Sequence, residues 1–273
     1  MYQRFILLLF TALLSNSYSH AQEIGLQLNS LKSELEKDVP ATMKKVHEMG
    51  FTHVQFSTTY GLTFPEFIKS LALNNLSVLS FETDFNRLEK FAQSAVDEAR
   101  SYGARYIVCS WNPHENGTFT KEDVDRAAAV LNAAGKTIAR NGLLLCYQPS
   151  GLEFQPYGNG TLFDYFVQQL DPRVVHFEMD VFQIKQAGQD PVALLKKYPT
   201  RFIMIGLKDR KKGTEPARTD QESNVALGKG DVGIAEIVKA AREFGIQHFF
   251  IKDESSRAEE QIPKSLQYLK SVM

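Results

Sequence analysis

The sequence predicts an α/β fold, a single-domain (β/α)8 barrel, on three observations. Short apolar or β-branched runs alternate with longer amphipathic stretches, the pattern of parallel strands joined by helical crossovers. Eight such units can be counted between residues 22 and 273, the span of one closed barrel. No GxGxxG follows the first run, which argues against an open, doubly wound sheet.

The strands are read at Ile24–Asn29, His53–Ser57, Ser77–Glu82, Tyr106–Trp111, Leu143–Gln148, Val174–Asp180, Phe202–Lys208 and His248–Lys252. Helices fall near Leu31–Met49, Pro65–Asn74, Asn86–Tyr102, Lys121–Asn141, Leu162–Leu170, Pro191–Tyr198, Ile234–Phe244 and Pro263–Val272. Gly50, Gly103, Gly142 and Gly245 each follow a helix and precede a strand, where a left-handed residue ends the helix. Thr120 and Asp190 stand where N-caps belong. The longest irregular stretch, Arg210–Gly230, follows the seventh strand, a place where barrel enzymes often carry a mobile active-site loop.

Residues 1–21 read differently. Arg4 precedes an apolar run from Phe5 to Leu14, and Ser19-His20-Ala21 puts small residues at the −3 and −1 positions of a cleavage site. The run of about ten residues is half of what a spanning helix needs. A secretory signal peptide cut after Ala21 is expected, with the mature chain exported and, in a two-membrane bacterium, periplasmic.

The formal net charge is −1, with acidic and basic residues interspersed, which provides no field for steering toward nucleic acid or an anionic membrane. A small, weakly charged ligand is expected; a homo-oligomer is left open. The two cysteines, Cys109 and Cys146, lie inside apolar strand runs and read as buried thiols. An oxidising compartment also allows a disulfide between them.

Several stretches together resemble the xylose-isomerase-like sugar phosphate isomerase/epimerase family. They are Gly25-Leu26-Gln27-Leu28-Asn29-Ser30, Phe177-Glu178-Met179-Asp180-Val181-Phe182, Ala187-Gly188-Gln189-Asp190-Pro191, Leu207-Lys208-Asp209, Gly228-Lys229-Gly230 and Lys264-Ser265-Leu266-Gln267-Tyr268-Leu269. The resemblance implies a TIM barrel whose ligand pocket lies at the C-terminal ends of the strands. It also implies one divalent metal (Mn, Mg, Zn or Co), held by Glu or His ending strand five, Asp ending strand six, His ending strand seven and Glu ending strand eight.

This chain departs from that ligand pattern. Gln148 stands at the strand-five place, Asp180 is kept, Gly206 replaces the His and Lys252 replaces the Glu. An amide, a glycine and an ammonium do not assemble the donors a divalent ion needs. No cofactor is therefore expected, with a rearranged metal site using Asp180, Glu153 or Glu254 as the alternative.

Strand alternation turns Gln27, Asn29, Gln55, Ser80, Glu82, Trp111, Gln148, Glu178, Asp180, Lys208 and Lys252 toward the interior. Amides and carboxylates around one aromatic ring suit a carbohydrate. Glu82, Asp180 and Lys252 are the candidate catalytic residues; Gln27, Gln55, Trp111, Gln148, Glu178 and Lys208 are the candidate substrate contacts. Lys252 has two readings: a cation that stabilises an enediolate or acts as base or Schiff-base amine, and a structural ion pair filling the vacated metal place. Glu82 is either a general base or a loop carboxylate, and Trp111 either a stacking platform or packing. His47, His53, His176 and His248 sit at element margins, away from the active face.

The expected activity is that of a sugar isomerase or epimerase moving a proton next to a carbonyl without a tightly bound metal. The alternatives are a non-catalytic sugar-binding barrel and a lyase or hydrolase of oxidised sugars.

Overall fold

In the computed structural model, which describes residues 22–110, 117–214 and 220–273, eight parallel strands close into one barrel. They are β1 (Glu23–Gln27), β2 (His53–Phe56), β3 (Ser77–Thr83), β4 (Tyr106–Cys109), β5 (Leu144–Tyr147), β6 (Val175–Asp180), β7 (Phe202–Leu207) and β8 (His248–Ile251). Each pairs with its sequence neighbour, and β1 pairs with β8, Gly25 lying beside Phe250, to close the ring. The predicted fold class is what the chain adopts. The signal segment and Trp111 lie outside the described residues. No helix among the described residues is long and apolar enough to cross a membrane.

Local sequence accounts for the punctuation. Gly50, Gly103, Gly142 and Gly245 all take a positive φ of between 74° and 98°. Thr120 accepts from Asp123 N–H while the Asp123 carboxylate receives Thr120 N–H, a reciprocal cap, and Asp190 accepts from Val192 N–H at 2.9 Å.

Three boundaries differ from the sequence reading. β1 stops at Gln27 and the chain turns into a 3-10 segment, Leu28–Leu31, which leaves Asn29 exposed rather than inward. The expected first helix is broken before Asp38, whose carboxylate accepts from Ala41 N–H and starts a new helix, Val39–Glu48, with Pro40 in its first turn. The last helix begins at Ala258, five residues ahead of its Pro263, not at that proline.

Inside the barrel the side chains form layers. Leu79, Tyr106, Val108, Cys146, Met204 and Phe250 make an apolar waist. Gly25 is part of it: a Cβ there would lie 2.6 Å from the Phe250 ring. Below the waist, at the N-terminal ends, Tyr106 Oη meets His248 Nε2 at 2.7 Å and Glu23 gathers His248, His53 and Arg105. Burial pushes the His248 imidazole down, against the opposing pull of Glu23. Above the waist lies the polar mouth. Cys109 and Cys146 are buried and form no disulfide with each other: Cys109 lies opposite Tyr147 and Cys146 opposite Val108, so adjacent positions of the ladder send the two thiols to opposite faces.

The loop after β7 is tethered at both ends. Asp209 accepts from Gly228, Gly230 and Val232 N–H at 2.9–3.2 Å, and Arg210 pairs with Asp231. A Cβ at Gly230 would fall 2.1 Å from the Asp209 carboxylate, so the Lys208-Asp209 and Gly228-Lys229-Gly230 stretches form one clamp. The described parts of this loop form an anchored ladder, Asp209–Arg210 against Asn224–Val225.

Candidate active site

Alternation along β6 and the ends of β5 and β8 converges four polar side chains on one point, beside β7. Lys252 Nζ lies 2.8 Å from Glu178 Oε1, donates to Gln148 Oε1 at 2.8 Å and stands 3.7 Å from Asp180 Oδ2. Lys252 is 3% exposed and Glu178 fully buried, so little water screens the pair. Burial alone would lower the Lys252 pKa, but Glu178, Asp180 and Glu82 outweigh it and hold the ammonium above the ordinary lysine value. This environment favours the charged ammonium over a neutral base or Schiff-base amine.

Gly206 is the condition for this arrangement. A Cβ at that position would lie 2.6 Å from Lys252 Cε and 2.9 Å from Nζ. The lysine stem fills the space beside β7 that any side chain would take.

The remaining partners are fixed in turn. Gln55 Nε2 donates to Ser80 Oγ and to Glu178 Oε2, both at 2.7 Å. Asp180 Oδ1 accepts from Phe182 and Gln183 N–H at 3.1 Å, capping a short helix, Val181–Gln186. That helix was not apparent in the sequence; six residues are too few to show a period. Lys208 Nζ pairs with Glu254 at 3.0 Å and sits 4.8 Å above the Phe182 ring.

Glu82 stands on the opposite side of the mouth. Gln27 Nε2 donates to its Oε1 at 2.7 Å. Glu82 is half-buried and lines a cavity of about 290 Å³ together with Ser57, Phe81, Thr83, Asp84, Arg87 and Ser110. Protein nonetheless surrounds the carboxylate, and this desolvation raises its pKa above the usual range, with Lys252 opposing and Glu178 reinforcing the rise. A carboxyl tuned upward on a cavity-lining residue is suited to taking and returning protons.

Tyr60 was missed in the sequence. Its hydroxyl is buried near Glu82, and burial followed by the Glu82 charge pushes its pKa up.

Fold and site together define an eight-stranded barrel with its polar centre at the strand C-termini. Residues 43–272 match the family described as xylose isomerase-like TIM barrel, and the chain belongs to it. An inosose dehydratase of Bacillus cereus is 26% identical over 183 residues, 59% of this chain and 59% of that protein, so the match spans less than two thirds of that relative. A sugar phosphate isomerase/epimerase from Parabacteroides distasonis superposes with a TM-score of 0.77 at 22% identity, covering 93% of this chain and 98% of the other. The IOLI protein, solved with a zinc atom, superposes at 0.73 with 12% identity over 92% and 97% of the two chains.

The residues of this chain do not fit a divalent ion at the corresponding place. An ammonium occupies the point where Gln148, Glu178 and Asp180 converge, and its charge repels a second cation. Among the described residues no group of three or more His, Cys, Asp or Glu is arranged to hold a metal. The rearranged alternative is also committed elsewhere: Glu153 takes the Tyr147 hydroxyl and the Ser150 and Gly151 amides, and Glu254 takes Lys208.

Proposed function

We propose that this chain is an exported enzyme acting on a small carbohydrate or cyclitol that bears a carbonyl, moving a proton on the neighbouring carbon. The observation that carries the reading is the pairing across one mouth of a cavity-lining, upward-tuned carboxyl, Glu82, with an ammonium, Lys252, held by Glu178 and Gln148 at 2.8 Å each. Glu82 as carboxylate removes the proton. Negative charge develops on the carbonyl oxygen, and Lys252 stabilises it in a site with little water to compete. Its hydrogen-bonded partners hold the ammonium in place, so no reorganisation is needed as the charge appears. In an isomerisation Glu82 then returns the proton to the adjacent carbon while the hydroxyl proton passes to the former carbonyl oxygen; in an epimerisation the opposite face is protonated by a second acid, such as solvent, and Glu82 gives its proton to solvent. Loss of a β-hydroxyl as water from the same enolate is a dehydration, the outcome named for the inosose dehydratase relative. No step is routed through a metal.

A second reading has its own support. Lys252 has Glu178, Gln148 and Asp180 as partners already, which suits a structural plug in a barrel that binds sugar without turning it over.

Solvent deuterium incorporation into a panel of ketoses, aldoses, inososes and 3-keto-glycosides separates the two, run with chelator and with added Mn. Exchange that survives chelator and drops at least 100-fold in Glu82→Gln supports the enzyme; binding without exchange across the panel sinks it. Metal analysis of the purified protein accompanies the assay, and a stoichiometric ion would overturn the metal-free site.

A further inference from the structure

Away from the barrel mouth, on the outer layer, the chain builds another cavity, of about 560 Å³, that shares no residue with the Glu82 cavity or the Lys252 cluster. Its rim is a short hairpin, Pro156–Tyr157 against Gly160–Thr161, between β5 and the helix Leu162–Gln169. Gly158 turns it with a positive φ of 57°. One carboxylate fixes the hairpin in place. Asp164 receives Thr161 N–H at 2.9 Å, Lys197 Nζ at 2.7 Å and the Tyr198 hydroxyl, which ties it to the end of the helix Pro191–Lys197. A Cβ at Gly160 would collide with that carboxylate, so the hairpin closes directly on it.

Three tyrosines line the cavity, and they differ in what already occupies them. Tyr165 donates to Asp125 Oδ1 at 2.7 Å and has Lys121 Nζ 5.3 Å from its ring centre. Tyr198 is held by Asp164, with Lys197 Nζ 5.5 Å from its ring and Phe163 edge-on to it. Tyr157 touches only Tyr165 among the described aromatic residues, in a tilted contact of 5.2 Å between centroids. It is 38% exposed, a large ring left open on an anchored hairpin. The amides of Asn159 and Gln168, also in the cavity wall, are exposed and without a side-chain hydrogen bond among the described residues.

Charge and polarity decide what such a surface takes. Lys197 is balanced by Asp164 and Lys121 by Asp125, so neither an anion nor a cation finds an uncompensated partner. A wholly apolar ligand would cover the Asn159 and Gln168 amides without replacing their water. A neutral molecule with an apolar face and a fringe of hydroxyls meets both demands: the face stacks on Tyr157 and the hydroxyls bond the amides. That is the chemistry of a pyranose ring, and the volume lies within the range of ordinary ligand pockets.

We propose that the cavity behind the 156–161 hairpin is a second carbohydrate site, which holds a neutral polysaccharide chain against Tyr157 without turning it over. Its one carboxylate is already occupied by four donors from Thr161, Lys197 and Tyr198 on one side and the helix start on the other, so the site anchors rather than reacts. It needs no carbonyl in its ligand and stands or falls apart from the proton transfer proposed for the mouth.

Affinity electrophoresis of the whole chain, in native gels cast with dextran, pullulan, laminarin, galactomannan or hydroxyethylcellulose, tests it. At least one of these neutral polymers is expected to retard wild type. Tyr157→Ala weakens that binding at least about 10-fold, while Glu82→Gln, altered in the mouth, is retarded as wild type is. Retardation by none of the polymers overturns the proposal, as does a Tyr157→Ala protein that binds like wild type or a Glu82→Gln protein that does not bind. Replacing an exposed ring should leave the Tm within about 2 °C of wild type. If Tyr157→Ala falls further, Gln168→Arg, at an exposed helix position, decides instead: lost retardation supports the site and intact retardation overturns it.

Discussion

The two sides of the barrel mouth treat buried polar groups in opposite ways. Across β5 to β8, Lys252, Glu178, Asp180, Gln148 and Lys208 all have partners within the protein. Across β1 to β3, Gln27 Oε1 and the Tyr60 hydroxyl are left without one, and Glu82 lines a cavity. The first side is built to fix a charge in place, and its own contacts explain it. The second is incomplete until something else arrives. Folding free energy is spent on the first and withheld from the second, so substitutions on the two sides should separate stability from activity.

The largest effect is expected from Lys252→Met. It leaves Glu178 and Asp180 facing each other in a buried site without their cation, a loss of about 3–5 kcal/mol for breaking one partner from a buried pair. Urea denaturation measures it. Adding Glu178→Gln removes the stranded charge and should recover most of the stability while leaving exchange activity absent. A single mutant as stable as wild type would show that the charge cluster is not the structural side of the mouth.

Next comes Gly206→Ala. Lys252 Nζ is pinned by Glu178 and Gln148 and is not free to retreat from a methyl group placed 2.6 Å from its stem. Overpacking of this kind costs about 1–3 kcal/mol. In a Lys252→Ala background the same methyl group fills vacated space, so a double-mutant cycle should show coupling of at least about 1 kcal/mol. Additive effects would separate Gly206 from Lys252 and dissolve the reason given for a glycine on β7.

How much of this was legible in the sequence follows the same division. The barrel was, because eight alternating units carry a strong pattern, and the residues in phase with the strand ends placed Gln148, Glu178, Asp180 and Lys252 in one layer. A structural ion pair was one of the two readings of Lys252; that its short partner is Glu178 needed coordinates, since a strand period gives a face and not a distance. The pairing of Lys208 with Glu254 was not legible, because Glu254 lies beyond the end of β8, where alternation no longer applies. Tyr60 escaped altogether. Tyr60-Gly61 signals a turn, but only φ tells that the tyrosine shares the left-handed place with the glycine. The clamp of Asp209 on Gly228 and Gly230 was visible only as separate short motifs about twenty residues apart.

The smallest effect, and the sharpest for the incomplete side, is the pH dependence that Glu82 confers. Burial raises its folded pKa above the ordinary Glu value of about 4.3. Between that value and the folded one, the native state binds more protons than the unfolded chain, so stability falls as pH rises through this window. Glu82→Gln removes the charge that must be buried, and its stability should lose this slope and match or exceed wild type near neutral pH. Activity runs the other way: the carboxylate is the base, so exchange in wild type should rise with pH through the same window, with an acid limb above the ordinary carboxylate range. One residue then sets two opposed profiles, denaturation midpoint falling while kcat/KM climbs. A glutamine variant that loses stability at pH 7, or a wild-type acid limb at an ordinary carboxylate value, would show Glu82 to be a satisfied structural carboxylate and move the base elsewhere in the mouth.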